Sequence, residues 1–335
     1  MLLVDSLYIN VGGGKILLDY LVKEIEARQM DVFYLFDLRC KNDFKQVPND
    51  RKVYLKASFF NRYQFYKRNK NNFTKILCFG NIPPPCEINN SIVYTYFHNV
   101  LMFNKRNEYS IALKLKVFLR NKLFRFLKKF SNIWIVQSSL VKEKLVSYLN
   151  ISADDCFVYP FFDLSEKNIT AKKKENTYLY VSSGASHKNL NRLLDAWLLV
   201  YQKGYNPELH LTIPQYEIEL INKINFLVEK GINIVNHGFI EKSKLSILYT
   251  ESEYLLYPSL FESFGLPLLE AVGHGCKVIA ADLEYTYEVI EPSYTFNPLV
   301  IQSISDAVIF SLNNKLNVTT PKIKNEIDAL IKMLN

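Results

Sequence analysis

The chain has 335 residues, 49% of them hydrophobic and 22% charged, with a formal net charge of +8 and a pI near 9.0. That length exceeds one ordinary core and suits two α/β domains, while the composition excludes a long disordered tail. The excess of positive charge points to an anionic partner: a nucleotide, a phospholipid headgroup or a nucleic acid.

The first half alternates short apolar runs with amphipathic stretches. Leu2 to Ile9 is predicted as a strand, followed by the turn Gly12-Gly13-Gly14 and a helix with Leu17, Leu18, Leu21, Val22 and Ile25 on one face. Further strands are expected over Val32–Phe36, Lys75–Phe79, Ile92–Phe97 and Ile133–Val136, with a helix over Leu140–Leu149. Before Ile133 lies a basic helix from Lys105 to Lys129. Strands separated by helices imply a parallel sheet with right-handed crossovers.

The rhythm breaks after Tyr159-Pro160-Phe161-Phe162-Asp163, and the polar stretch Ser165–Asn176 is the expected linker. Strands are then expected at Tyr178–Val181, Leu209–Ile213, Ile232–Val235, Tyr254–Tyr257 and Lys277–Ala280. The helices between them cover Leu190–Tyr201, Glu217–Lys230, Lys242–Tyr249 and Pro267–Gly273. The expected fold class is therefore α/β, with Rossmann-like doubly wound domains at 1–163 and 164–335 and a ligand cleft between them.

Five scattered cysteines, Cys40, Cys78, Cys86, Cys156 and Cys276, lack zinc spacing and read as reduced, buried thiols. Asp5 interrupts the first apolar run, which also lacks a basic flank, and no run has membrane-spanning length. A cytoplasmic location is expected.

The segment Tyr257-Pro258-Ser259-Leu260-Phe261-Glu262-Ser263-Phe264-Gly265-Leu266-Pro267-Leu268-Leu269-Glu270-Ala271 combines a strand end, a short loop and a helix start. Pro suits a first helical turn, Gly265 lets backbone approach a ligand, and the free N–H groups of a helix start suit a diphosphate. Glu262 in the loop and Glu270 about one turn into the helix could hold hydroxyls on either side of it. Equally, Glu262 could be a solvated loop residue and Glu270 a partner of the helix dipole.

This spacing, Glu, seven residues, Glu, with Phe-Gly-Leu-Pro between, resembles the signature of the retaining family-four glycosyltransferases of the GT-B fold. Glu270-Ala271-Val272, Gly275 to Asp282 and Glu288-Val289 continue the likeness, which covers about a tenth of the chain. The resemblance implies that Glu270 binds the donor ribose and that Glu262 binds donor-sugar hydroxyls. The Ser263-Phe264-Gly265-Leu266 backbone would meet sugar and diphosphate. A second likeness starts the C-terminal domain, Tyr180 to Leu190. There Lys188 would neutralise the departing diphosphate, although the commoner fate of a lone lysine is an ordinary surface position. The family often has an Arg five positions before this lysine; here Ser183 stands in its place.

In the N-terminal domain Gly12-Gly13-Gly14-Lys15 is not a Walker loop, because Ile9 and Ile16 occupy its required Gly and Ser/Thr positions. A glycine turn between strand and helix could be plain turn chemistry; the resemblance places Gly13 and Gly14 close to the donor phosphate and the acceptor. His98, at the end of a strand, would contact the transferred sugar, with a structural histidine as the alternative. His210, His237 and His274 have no comparable context. Along the basic helix, Lys114, Lys122, Arg125 and Lys128 interleave with aromatic and aliphatic residues. They would face an anionic membrane and the acceptor, or else simply solvent.

The expected activity is retaining transfer of a hexosyl or N-acetylhexosaminyl group from a UDP- or GDP-sugar to a glycan acceptor, lipid-linked, in surface-polysaccharide or lipopolysaccharide synthesis. No Asp-x-Asp triplet is present, so metal-independent transfer is expected, with Lys188 in place of a cation. The competing readings are a nucleotide-sugar epimerase of the same fold and a basic nucleic-acid-binding protein. No nucleic-acid module is recognisable, so nucleic acid is not expected as a partner. Similar enzymes pack the last helix back on the N-terminal domain.

Overall fold

The structure, a computed structural model, describes residues 1–103, 111–163 and 172–335, without the side chains of residues 101, 111–116 and 243. The chain divides into two compact units, Met1–Asp163 with Lys324–Asn335, and Leu164–Ile323.

The first unit runs β1 (Leu2–Asp5), α1 (Gly12–Ala27), β2 (Val32–Asp37), β3 (Lys52–Leu55), α2 (Phe59–Asn69), β4 (Lys75–Cys78), β5 (Ile92–Tyr96), α3 (Ile111–Leu127), β6 (Ile133–Val136), α4 (Ser139–Leu149) and β7 (Cys156–Val158). All seven strands are parallel, in the order β3-β2-β1-β4-β5-β6-β7. Leu3, Val4, Leu35, Ile76 and Leu77 are fully buried, as expected of strands covered on both faces. Ser58 and Ser138 cap α2 and α4 by accepting the Asn61 and Val141 N–H groups.

The second unit runs β8 (Lys174–Tyr180), α5 (Leu190–Gln202), β9 (Glu208–Leu211), α6 (Ile218–Glu229), β10 (Ile234–Asn236), α7 (Lys242–Glu251), β11 (Ser252–Tyr257), α8 (Leu266–Gly273), β12 (Lys277–Ala281), α9 (Glu284–Val289), β13 (Ile290–Glu291), β14 (Tyr294–Phe296), α10 (Ile301–Asn313) and β15 (Thr320–Pro321). Its parallel sheet has the order β10-β9-β8-β11-β12-β14, and β13 pairs with β15 separately. A last helix, α11 (Ile327–Leu334), belongs to the first unit. Asn325 Nδ2 donates to Phe162 O, Glu326 N–H to Pro160 O, and Tyr94 OH to Met333 O at 3.3 Å.

Several sequence expectations shift. The strand predicted to reach Ile9 ends at Asp5, whose carboxylate accepts the Leu7 N–H before the chain turns through Tyr8 at φ 85°. Lys174–Asn176, placed in the linker, begin β8 instead: Lys174 pairs in register with Ser252, and Glu253 accepts the Asn176 N–H. The basic helix runs from Ile111 to Leu127 within the described residues; Lys105 and Arg106 lie outside them.

In both sheets the strand order reverses once, between β1 and β4 and between β8 and β11. Ligands of open α/β sheets bind outside the carboxyl ends of the strands at such reversals.

Candidate active site

In the second unit, two loops leave the reversal point. The loop after β8 passes Gly184 at φ +83°, makes a 3-10 turn over Ser186–Lys188, and enters α5 through Asn189 at φ 60°. The loop after β11 ends at Gly265, which takes φ +77° at the N-cap of α8, a backbone region that strains any side chain with a Cβ.

These loops are fastened together. Leu260 N–H donates to His187 O at 2.8 Å, and Tyr180 OH donates to Lys188 O at 2.6 Å. Asn189, buried, donates to Pro258 O and Pro298 O. Tyr285 OH donates to Ser259 O at 2.7 Å. The result brings Lys188 Nζ to 2.6 Å from Glu262 Oε1, with side chains 17% and 11% exposed. The ammonium also lies 5.9 Å from the centroid of the Tyr257 ring.

Glu270 lies half-buried on α8, and Tyr249 OH donates to its Oε2 at 2.9 Å. Phe264 packs its ring into the core at 4% exposure, so its backbone alone can serve a ligand. Ser263 and Leu266 are half-buried around Gly265.

In the first unit, α1 begins at Gly12, and Val11 at its N-cap supplies no side-chain cap. A Cβ on Gly14 would stand 2.9 Å from His98 Nε2, so the helix start and the imidazole meet only because residue 14 is glycine. Gly13 is exposed on the same turn. His98 N–H donates to Asn81 Oδ1 at 2.7 Å, and Asn81 Nδ2 lies 3.2 Å from His98 Nε2. An amide donor there assigns the ring proton to Nδ1, which has no acceptor among the described residues. Burial holds the imidazole pKa down to about 4, so the ring is neutral near pH 7.

Behind β1, Asp5 and Arg62 form a buried pair at 2.7 Å, with Tyr66 OH donating to the same Asp5 oxygen. Arg62 further donates to Ile82 O and Pro83 O, anchoring the loop that carries Asn81.

The basic helix separates into different roles. Lys122 is exposed beside Phe118, Leu119, Leu123 and Phe126, all exposed. Arg125 lies over the Tyr148 ring at 4.6 Å. Lys128 is half-buried, and its ammonium donates to Leu149 O and Asn150 O at the end of α4. The Lys114 side chain lies outside the described residues.

Among the described residues no three His, Cys, Asp or Glu side chains group as a metal site, and no helix is long and apolar enough to cross a membrane. The sequence reading gave no role to Asn189, Tyr249 or Asn81, and it set His274 aside as lacking context. Asn189 stands in the His-Lys-Asn run, where an Asn before a helix marks a left-handed entry. Nothing local marks the other three.

Residues 162–325 match the family model described as glycosyl transferases group 1. Over the whole length the chain resembles the apo form of the lipopolysaccharide outer core galactosyltransferase WaaB. The TM-score is 0.67 at 16% identity, covering 99% of this chain and 94% of that one. The fold is GT-B. Another GT-B neighbour is Anabaena Alr3699/HepE in complex with UDP and glucose, with TM-score 0.66, 16% identity and coverage of 93% and 90%. In sequence, the O-antigen chain mannosyltransferase RfbU of Salmonella typhimurium is 28% identical over 186 residues, 52% of this chain and 50% of the relative. The aligned part thus spans about half of that relative's length. The family match covers the unit holding Lys188, Glu262 and Glu270.

Proposed function

We propose that the chain is a retaining glycosyltransferase. It moves a hexosyl or N-acetylhexosaminyl group from a nucleoside-diphosphate sugar to a glycan acceptor in surface-polysaccharide synthesis. The observation that carries this reading is the meeting of Lys188 and Glu262 at 2.6 Å beside the α8 helix start, within the segment matched to group 1 glycosyl transferases. The names of RfbU and WaaB favour a hexose and a surface glycan, and the UDP bound to HepE makes UDP the first nucleotide to test.

In this reading the donor sits at the C-terminal unit. Glu270 takes the ribose hydroxyls, the first-turn N–H groups of α8 take the diphosphate, and Glu262 takes sugar hydroxyls. Lys188 balances the charge that develops on the leaving diphosphate, an electrostatic contribution that grows toward the transition state. The acceptor oxygen forms its bond to the anomeric carbon on the face from which the diphosphate oxygen departs, and its proton passes to that diphosphate oxygen. The anomeric configuration is retained. The N-terminal unit is assigned the acceptor side, with Gly13 and Gly14 in the first turn of α1 close to donor phosphate and acceptor, and His98 just beyond β5 near the transferred sugar. The exposed Phe118, Leu119 and Phe126 beside Lys122 and Arg125 support an acceptor presented at an anionic membrane.

The test is thermal unfolding with UDP, GDP and their sugars, with and without EDTA, in wild type and Glu270→Ala. A ligand at a hundred times its dissociation constant adds about 2.7 kcal/mol of stability. The expected result is a base-selective shift that survives EDTA and is lost in Glu270→Ala; no shift with any nucleotide refutes the reading. An inverted product anomer would refute retention, and conversion of the donor without acceptor would favour an epimerase.

A further inference from the structure

Glu270 is held from behind by a small network that the ligand-facing motif does not contain. Tyr249, on the last turn of α7 and 1% exposed, donates its hydroxyl to Glu270 Oε2 at 2.9 Å. Its ring stacks on His274 with centroids 5.4 Å apart and planes 21° from parallel. His274, 8% exposed at the end of α8, places Nδ1 2.7 Å from the Glu270 carbonyl and Nε2 2.8 Å from Ser246 Oγ. A carbonyl can only accept, so Nδ1 carries the proton and Ser246 donates to Nε2. Ser246 and Tyr249 are three residues apart on α7 and so share a face. The Tyr249 carbonyl in turn accepts from Lys173 Nζ at 2.7 Å and from Cys276 Sγ at 3.0 Å.

We infer that Tyr249 is a positioning residue for the nucleotide ribose, fixing the Glu270 carboxylate through its hydroxyl, with His274 and Ser246 holding the phenol ring in place. This inference rests on the proposed donor site, in which Glu270 meets the ribose. A glutamate on a helix face has rotamer freedom to lose when it binds, and a prior hydrogen bond removes part of that loss before the ligand arrives. A carboxylate has about four acceptor positions, so one donated bond from Tyr249 does not exhaust it. Burial and the adjacent carboxylate push the Tyr249 phenol well above its usual range, which keeps the hydroxyl a donor. A tyrosine needed only to fill the space between α7 and α8 would require its ring; the hydroxyl is what reaches Glu270.

The test compares wild type, Tyr249→Phe, Glu270→Ala and the double variant by calorimetry. The ligands are UDP, GDP and their 2′,3′-dideoxy forms, with melting temperature followed in parallel. The substitution to Phe keeps the ring that stacks on His274. The expected result is roughly a 2- to 10-fold loss of affinity for the natural nucleotide in Tyr249→Phe, the size of the rotamer freedom that one side chain loses on binding. Affinity for the dideoxy form should be unchanged, and Tyr249→Phe should have no further effect when Glu270 is already Ala. Equal losses for both nucleotides, or a loss that persists in the Glu270→Ala background, would make Tyr249 a packing residue and overturn the inference. No loss in Tyr249→Phe, with a clear loss in Glu270→Ala, would overturn it while leaving the donor site standing. No effect of Glu270→Ala would remove both.

Discussion

Lys188 donates to Glu262 at 2.6 Å with both side chains mostly out of water. A diphosphate that recruits this ammonium must share it with Glu262 or displace it. Glu262→Gln keeps the size of the side chain and removes the competing charge. Two unit charges about 3 Å apart attract by about 5 kcal/mol at an effective dielectric of about 20. Desolvation of both groups offsets most of that. A pair between the exposed and buried limits keeps roughly 1–2 kcal/mol. Released from its partner, Lys188 should therefore bind bare UDP or GDP about 5- to 30-fold more tightly, while the unliganded fold loses stability of similar size. Sugar transfer should fall sharply, because the carboxylate assigned to the sugar hydroxyls is gone. The assay is calorimetric titration of the nucleoside diphosphate into wild type and Glu262→Gln, with denaturant unfolding and a transfer assay beside it. An affinity that stays level or weakens, while stability drops, would show that Lys188 does not serve the diphosphate.

Arg62→Met should cost about 3–5 kcal/mol, because it leaves Asp5 charged and buried with Tyr66 as its remaining side-chain donor; a change below about 1 kcal/mol in urea unfolding would contradict the buried pair. His98 has a folded pKa near 4 against about 6.5 unfolded, so its contribution to stability is complete above pH 6.5 and is lost as pH falls toward 4. Between pH 7.5 and 4.5 that loss has a ceiling of about 2.5 kcal/mol, lowered by whatever solvent reaches the ring; His98→Gln should flatten this part of the pH profile, and an unchanged slope would refute it. Gly14→Ala forces a methyl to within 2.9 Å of His98 Nε2, so it should reduce transfer more than it weakens nucleotide binding; unchanged transfer would sink it. Phe118→Asp with Phe126→Asp should abolish co-sedimentation with phosphatidylglycerol vesicles. Lys128→Met should lower stability without changing vesicle binding, because that ammonium closes α4.

The doubly wound plan was legible because strands buried on both faces are written as apolar runs, as in Leu2–Asp5 and Ile133–Val136, with amphipathic helices between them. β3 and α2 were not legible, and the reasons are physical. β3 is a half-buried edge strand that opens on Lys52, and α2 buries an arginine, which no periodicity scale counts as core. The helix-closing bonds of Lys128 to Leu149 O and Asn150 O were likewise not legible, since a charge count does not say which carbonyls a lysine meets. At the site, what could be read was whatever the chain keeps local: a strand end, a glycine with φ above zero, a helix start and two glutamates at fixed offsets. What could not be read was which distant residue each of them meets. Lys188 reaches Glu262 across 74 positions, and Tyr249 reaches Glu270 across 21. Those pairings change the chemistry that the motif alone suggests. With Lys188 and Glu262 joined, the group assigned to the diphosphate and the group assigned to the sugar are each other's partner. If the proposed donor site holds, binding of one end of the donor would alter the charge available to the other, and a nucleotide lacking its sugar would meet a lysine still held by Glu262. In the proposed donor site a whole donor would satisfy both at once, so the ion pair would favour the nucleotide sugar over the spent nucleoside diphosphate that would otherwise compete for the same loops.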